Sequence, residues 1–167
     1  TYSVGNGYIK LWGDWNQNGY YLNSKQSFAT PLIVIGRWKI GQVNSDTDLS
    51  ITFQQNLDGV LFKTGFTCVY DGESSGTSYG VKRICKGSSV LVSDGVVPTT
   101  SWCDFKISFG SNQIIFWDSQ LGDLTATTTI NGEYHLGIGG DTDSSSRFGY
   151  IDWIALYPYV EHEPTVT

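Results

Sequence analysis

The hydrophobic pattern of this chain alternates between apolar and polar positions over short runs, which is typical of β-strands. No long segment repeats apolar residues at helical spacing, and clusters of Gly, Asn, Asp and Ser separate the runs. Many short strands with short turns predict an all-β fold, a two-sheet antiparallel β-sandwich. The predicted strands are Tyr8–Trp12, Tyr20–Leu22, Leu32–Ile40, Leu49–Gln54, Val60–Phe62, Phe66–Tyr70, Gly80–Cys85, Val90–Val92, Trp102–Phe109, Gln113–Asp118, Thr125–Thr129, Tyr134–Ile138 and Gly149–Leu156.

Alternation also predicts which side chains leave the core, because successive residues of a strand point to opposite faces. In Cys103–Phe109 every second residue is apolar, which leaves Trp102 on the other face. The same reasoning turns Trp117 and Gln54 away from the core. The segment Leu32–Ile40 is apolar on both faces for most of its length, so it is either covered on both sides or lines a groove.

Length and charge narrow the class of protein. The chain has 167 residues, enough for one domain, which we assign to residues 1–159, with residues 160–167 as the start of a linker to neighbouring domains. The net charge of −6 argues against a nucleic-acid partner. No apolar run approaches the length of a membrane span, so membrane insertion is not expected.

Three cysteines, Cys68, Cys85 and Cys103, lack the spacing of a zinc site and allow at most one disulfide. We expect one involving Cys85, with either Cys68 or Cys103 as its partner. The composition, rich in Gly, Ser, Thr and Asn with few charges, is typical of a secreted β protein. An extracellular or cell-surface location is therefore predicted.

Four stretches together carry a family resemblance: GNGYIKL near the start, WCDFKISFGSNQIIFW in the middle, YHLGIGGDTDSSSRFGYIDWIALYPY near the end, and YVEHEPTVT as the exit. They resemble the corresponding strands of concanavalin A-like lectin, glucanase and laminin-G-like jelly rolls. The last resembles the exit from a prokaryotic domain of unknown function in secreted and surface proteins. The resemblance implies one convex and one concave sheet, with carbohydrate often bound across the concave one.

The same resemblance implies a structural calcium ion on the convex side. In the glucanase relatives an Asp of the closing strand and a backbone carbonyl of the opening turn hold this ion. By motif these correspond to Asp152 in IDWIAL and Gly7 in GNGYIKL. Calcium prefers six to eight oxygen ligands, and further ligands are not evident in the sequence. The alternative is that Asp152 only accepts hydrogen bonds from backbone amides.

Glycoside hydrolysis is not expected, because it requires two carboxylates facing each other across the scissile bond. Only four Glu occur, and none shares an alternating strand face with a second acid: Glu73, Glu133, Glu161 and Glu163. The histidines lie in no lyase motif, and GxSxG is absent. The sequence therefore predicts that the domain is not an enzyme, although an unfamiliar glycosidase or lyase stays an alternative.

Aromatic residues suggest a binding module instead, because flat rings stack on sugar rings while polar side chains bind hydroxyls. Trp102 and Trp117 are predicted to lie on the non-core face of two strands that form a hairpin. Further candidate ligand-binding residues are Trp38, Arg37, Gln54, Tyr70 and Tyr79, the two tyrosines flanking the loop DGESSGTS.

Two functions remain open at this stage. The first is a non-catalytic, lectin-like module of a larger secreted or surface protein, which binds a polysaccharide or glycan through exposed aromatics on the concave sheet. The alternative is a structural or adhesive domain of a surface filament, surface layer or virion, with a protein partner. An exposed groove with two aromatic rings favours the first, and a large flat apolar patch favours the second.

Overall fold

Strands account for all the regular structure of the described chain in the computed structural model. The strands are β1 (Tyr2–Gly5), β2 (Tyr8–Leu11), β3 (Tyr20–Ala29), β4 (Leu32–Ile40), β5 (Asp48–Gln54), β6 (Phe66–Asp71), β7 (Lys82–Lys86), β8 (Ser89–Ser93), β9 (Cys103–Phe109), β10 (Gln113–Asp118), β11 (Gly122–Thr127), β12 (Glu133–Gly140) and β13 (Gly149–Pro158). The structure describes residues 2–5, 7–11, 20–42, 48–57, 65–72, 82–95, 99–140 and 149–158.

The strands form two antiparallel sheets, as predicted. The seven-stranded sheet has the order β1-β2-β13-β4-β9-β10-β11, and the six-stranded sheet has the order β3-β12-β5-β6-β7-β8. The first and last strands are close in space, since β13 pairs with β2 on one side and with β4 on the other. The closing strand therefore lies inside the sheet that contains the opening strands.

The core lies between the two sheets and is largely aromatic. Phe53 of β5 stacks on Phe109 of β9 with their ring centroids 4.1 Å apart. The predicted alternation holds in β9, where Phe105, Ile107 and Phe109 are buried. Interdigitated rings of this kind bury much apolar area and supply most of the driving force for folding.

Strand boundaries differ from the sequence prediction in a few places. β1 was not predicted, and β11 begins at Gly122 and not at Thr125. The predicted strand Val60–Phe62 lies outside the described residues, as does the predicted linker at residues 160–167. The domain boundary at residue 159 thus stays a prediction.

The expected disulfide is not present: all three cysteines are free and buried. Cys68 pairs with Ile84, and Cys85 pairs with Thr67, so the two cysteines occupy offset positions on neighbouring strands. One position of offset places their side chains on opposite faces of the sheet, where a disulfide cannot form. Burial raises the pKa of each thiol.

Within the part of the chain that the structure covers, no helix has the length and apolar character needed to cross a membrane.

Candidate functional site

Among the described residues, the exposed aromatic side chains Trp117, Trp153 and Tyr157 lie on the outer surface of the seven-stranded sheet. In β4 the residues Leu32, Val34, Trp38 and Ile40 are buried, so alternation turns Arg37 and the residues two positions away toward solvent. We call this surface the aromatic face and define it by its side chains from β2, β4, β9, β10 and β13: Tyr8, Arg37, Lys39, Trp102, Asp104, Lys106, Trp117, Tyr150, Asp152, Trp153 and Tyr157.

Two exposed tryptophans border the aromatic face. Trp117 on β10 is 37% exposed and Trp153 on β13 is 44% exposed. Trp117 lies opposite Lys106 on β9, and Trp153 lies opposite Arg37 on β4. Their strands are three spacings apart in the order β13-β4-β9-β10, about 14 Å at the usual spacing. The register adds an offset of two residues along the strands, because Lys106 lies opposite Ile35 and not opposite Arg37. This separation leaves room for a short extended ligand between the two indole rings.

Charged side chains occupy the strip between these tryptophans. The Arg37 guanidinium lies 3.8 Å from the Asp104 carboxylate and 3.8 Å from the Asp152 carboxylate. These groups are all substantially solvent-exposed, so the ion pairs contribute little to stability. They hold hydrogen-bond donors and acceptors in place beside the two rings.

Trp102 belongs to a ring cluster at one end of the aromatic face. Its ring centroid lies 6.4 Å from those of Tyr8 and Tyr150, and these two tyrosines meet edge to face at 5.0 Å. The Lys39 ammonium lies 5.0 Å from the Trp102 centroid and 4.7 Å from the Tyr150 centroid. The Arg37 guanidinium is also near the Trp102 ring, at 5.6 Å. Trp102 is thus half-buried under cations and is not an open platform like Trp117.

Burial and the neighbouring tyrosine change the chemistry of this cluster. Desolvation raises the pKa of the Tyr150 hydroxyl, and the nearby Tyr8 raises it further. Tyr150 therefore keeps its proton and stays a neutral hydrogen-bond donor at physiological pH.

Two predicted ligand-binding residues lie in the core, so those predictions are wrong. Trp38 and Tyr70 have no exposed surface, and their ring centroids are 5.5 Å apart across the two sheets. Trp38 is adjacent to Arg37 on the same strand and consequently points in the opposite direction. A ligand at the surface cannot contact either ring.

Gln54 is also separated from the aromatic face. It lies on β5 of the six-stranded sheet, and it is only 3% exposed although it points away from the core. Other outward-pointing residues of that sheet are equally buried: Ser50, Thr52, Thr67, Val69 and Asp71. At these positions the outer surface of the six-stranded sheet is therefore closed to solvent. Tyr79 lies outside the described residues.

The six-stranded sheet contains a charged cluster that the sequence analysis missed. Asp48 and Asp71 lie directly opposite each other on β5 and β6. The Arg83 guanidinium lies 2.7 Å from the Asp71 carboxylate and 3.5 Å from the Asp48 carboxylate. The two acids are far apart in the sequence, and the pairing of β5 with β6 brings them together. Arg83 thus pairs with both carboxylates, and Asp71 is almost fully buried.

Gly7 lies in the turn that precedes β2, and Asp152 lies on β13, the strand that pairs with β2. Gly7 adopts φ +78° in the turn between β1 and β2, a left-handed conformation that favours glycine. Asp152 follows Ile151, which pairs with Ile9 of β2. Its carboxylate already has Arg37 as a partner, and no group of three or more His, Cys, Asp or Glu side chains in the described ranges is positioned to hold a metal ion. Two oxygen donors alone fall short of what calcium prefers.

Comparison with known proteins identifies the fold. No family model and no curated protein matches the chain. Among solved structures, the carbohydrate-binding module CBM66 from Bacillus subtilis superposes with a TM-score of 0.72 at 12% identity, over 93% of this chain and 90% of that one. The exoplasmic/lumenal domain of VIP36, in a form with Ca2+ and Man3GlcNAc bound, superposes with a TM-score of 0.67 at 12% identity, over 98% and 84%.

A legume lectin-like domain from Entamoeba histolytica superposes with a TM-score of 0.61 at 14% identity, over 95% of this chain and 87% of that one. The fold of the present chain is the concanavalin A-like jelly-roll sandwich, as the motifs predicted. At these identities the likeness establishes the fold, and function has to be argued from the residues of this chain.

Proposed function

We propose that this chain is a non-catalytic, lectin-like module that binds a polysaccharide or glycan on its aromatic face. The observation that carries the proposal is the pair of exposed rings, Trp117 and Trp153, on either side of a charged strip. Indole rings stack on the apolar faces of sugars, and guanidinium and carboxylate groups bind hydroxyls. Trp102 and Arg37 contribute to the same face.

The fold supports this proposal. The similar solved structures include one named as a carbohydrate-binding module and one that contains Man3GlcNAc. The resemblance implied a glycan on the concave sheet and a calcium ion on the convex side, with Asp152 as a ligand. In this chain Trp102, Trp117 and Asp152 share the seven-stranded sheet. The proposed binding face is therefore the sheet that contains the first and last strands.

The proposal includes no catalysis. On the aromatic face Asp104 and Asp152 are both within 3.8 Å of Arg37. A glycosidase places two carboxyl groups on either side of the scissile bond, whereas these two carboxylates face one shared guanidinium. We therefore assign this face to binding and orientation of a sugar.

Calcium at Asp152 and Gly7 is a separate proposal. The pairing of β2 with β13 supports it, because a cation between them would tie the first and last strands together. Arg37 competes with a cation for the Asp152 carboxylate. The bound ion would supply structural stability and take no part in sugar recognition.

The proposal also includes an extracellular or cell-surface location, as part of a longer polypeptide.

One observation favours the alternative of a structural or adhesive domain with a protein partner. Partly exposed aliphatic side chains, Ile33, Ile35 and Ile115, share the aromatic face with Tyr157, which is 51% exposed. Aromatic and aliphatic groups on one open surface are also typical of protein interfaces. A domain of this kind would bind no glycan.

A glycan array and pull-down with insoluble polysaccharides test the proposal. We expect retention on at least one class of glycan, with no release of reducing ends. For variants of the exposed tryptophans, a matched control is Leu91→Ala, which truncates a side chain that is 39% exposed on β8 of the other sheet. Failure of the wild-type domain to bind any glycan in a broad panel would contradict the proposal and favour the protein-partner alternative.

A further inference from the structure

A lysine and an aspartate join the two sheets inside the core. Lys82 belongs to β7 of the six-stranded sheet, and Asp118 ends β10 of the seven-stranded sheet. Lys82 Nζ lies 2.6 Å from Asp118 Oδ2, and both side chains are completely buried. Lysine is almost never fully buried without a partner, and here the Asp118 carboxylate is that partner.

The surroundings of the pair are mainly aromatic. Lys82 Nζ lies 4.8 Å from the centroid of Phe116, and Phe116 meets Trp38 edge to face at 5.8 Å. The amine also donates to the carbonyl of Gly122. Two opposite charges are costly to hold in such an interior. The 2.6 Å contact is short enough for a proton to pass directly from Nζ to Oδ2.

The two oxygens of Asp118 have different environments. Oδ1 accepts hydrogen bonds from the backbone amides of Gln120, at 2.8 Å, and Leu121, at 2.7 Å. The Cys103 thiol also approaches Oδ1, at 3.5 Å. Within the described chain Oδ2 accepts no hydrogen bond of ordinary geometry and has the lysine nitrogen as its neighbour. Paired backbone amides are the groups that stabilise an oxyanion in acyl transfer.

We propose that Lys82 and Asp118 condense to form an intramolecular isopeptide bond between the sheets. The neutral Nζ attacks Cγ, and negative charge develops on Oδ1, where the amides of Gln120 and Leu121 stabilise it. The Cγ–Oδ2 bond then breaks, and Oδ2 leaves as water with two protons that come from Nζ. The ion pair and the amide product are both neutral overall, so atoms and charge balance without an oxidant or a further reactant.

Proximity supplies the driving force that free amines and acids in water lack. The strands β7 and β10 hold the amine 2.6 Å from a carboxylate oxygen of Asp118, and such placement raises the effective concentration of the reactants by several orders of magnitude. The pair is completely buried, which keeps bulk water from the product. The bond would close a covalent loop over residues 82–118 and fasten one sheet to the other. This inference does not depend on glycan binding.

Intact-mass spectrometry of the denatured, reduced wild-type protein tests the inference. We expect a mass lower than the sequence mass by one water molecule. Proteolysis and fragmentation should give a branched peptide that joins Lys82 to Asp118. A protein at its full sequence mass would overturn the inference and leave the pair as a buried ion pair.

Lys82→Arg is the control, because Asp118 precedes Ser119 and an aspartate in that context can also lose water as a succinimide. Arginine keeps the positive charge but has no primary amine, so we expect this variant at its full sequence mass. Persistence of the water loss in Lys82→Arg would overturn the inference. If the variant does not fold, the branched peptide from the wild type distinguishes the two products. An isopeptide bond gives a branched peptide, whereas a succinimide gives only a linear peptide.

Discussion

At the scale of single residues, tryptophans of similar appearance in the sequence have opposite roles in the structure. Trp38 is fully buried against Phe105, with ring centroids 4.3 Å apart, and Trp117 is 37% exposed. We predict that Trp38→Ala costs about 3–5 kcal/mol of unfolding free energy because it leaves a large cavity. Trp117→Ala should cost much less, about 1 kcal/mol, because part of its ring is already in solvent.

Chemical denaturation of both variants measures this difference. The slope of the transition should stay near the wild-type value, so that the midpoints report stability alone. Equal losses in the two variants would show that Trp117 is part of the core and would remove it from the proposed binding face.

The sequence pattern could identify Trp117 as outward-facing, but it could not sort Trp38 from Arg37. β4 is apolar on both faces for much of its length, so the alternation of residues does not tell which of its faces points to the core. Trp153 was missed for another reason. Simple alternation from the buried Ile151 turns Trp153 inward, but the pairing of β13 with β4 shifts register between these residues and turns it outward.

At the scale of elements, β4 passes so close to its neighbours that its centre requires glycine. A Cβ on Gly36 would lie 2.6 Å from the Phe105 ring and 2.6 Å from the backbone oxygen of Trp153. We expect Gly36→Ala to lose about 1–3 kcal/mol of stability through this overpacking. Gly5→Ala is the matched control, because a Cβ at Gly5 would meet nothing within 4 Å. Thermal melting that ranks the two variants equally would contradict this packing.

The pairing of β2 with β13 makes the calcium proposal testable. Calcium bound only by the folded state stabilises it by about 2.7 kcal/mol at a hundredfold excess over Kd. We therefore expect EDTA to lower the melting temperature by several degrees and millimolar calcium to restore it. Asp152→Asn should abolish that response and preserve the fold. Superimposable melting curves with EDTA and with calcium would rule out a stabilising site.

The pairing between strands that are distant in the sequence could not be predicted from local patterns. Local patterns located β9, β10 and most of β5. They could not place β13 between β2 and β4, or β12 between β3 and β5, because such neighbours are chosen by packing of the whole sheet. The Asp48–Arg83–Asp71 cluster was missed for the same reason.

At the scale of the whole molecule, buried thiols and phenols make the stability of the folded protein decline at alkaline pH. Burial raises the pKa of Cys68 above its ordinary value of 9.0, and it also raises the pKa of Tyr70. The folded protein therefore keeps these protons at a pH where the unfolded chain loses them. Their contribution is complete below pH 9.0 and falls as the pH rises beyond it.

Denaturation midpoints between pH of about 8 and about 10.5 should show this decline, because that range spans the ordinary pKa values of thiols and phenols. In Cys68→Ala the midpoint should fall less steeply over the same range, although the variant starts from a lower stability. A midpoint that stays constant with pH would mean that these groups are solvated in the folded state.

The central claim is that the aromatic face binds glycan, and calorimetric titration with a glycan retained in the array tests it most directly. Trp117→Ala and Trp153→Ala should each weaken binding by about 1–3 kcal/mol, on the scale of aromatic anchors at interfaces. Leu91→Ala should titrate like the wild type, and all three variants should melt near the wild-type temperature. If the double variant lacking both tryptophans still binds with wild-type affinity, the aromatic face is not the binding site.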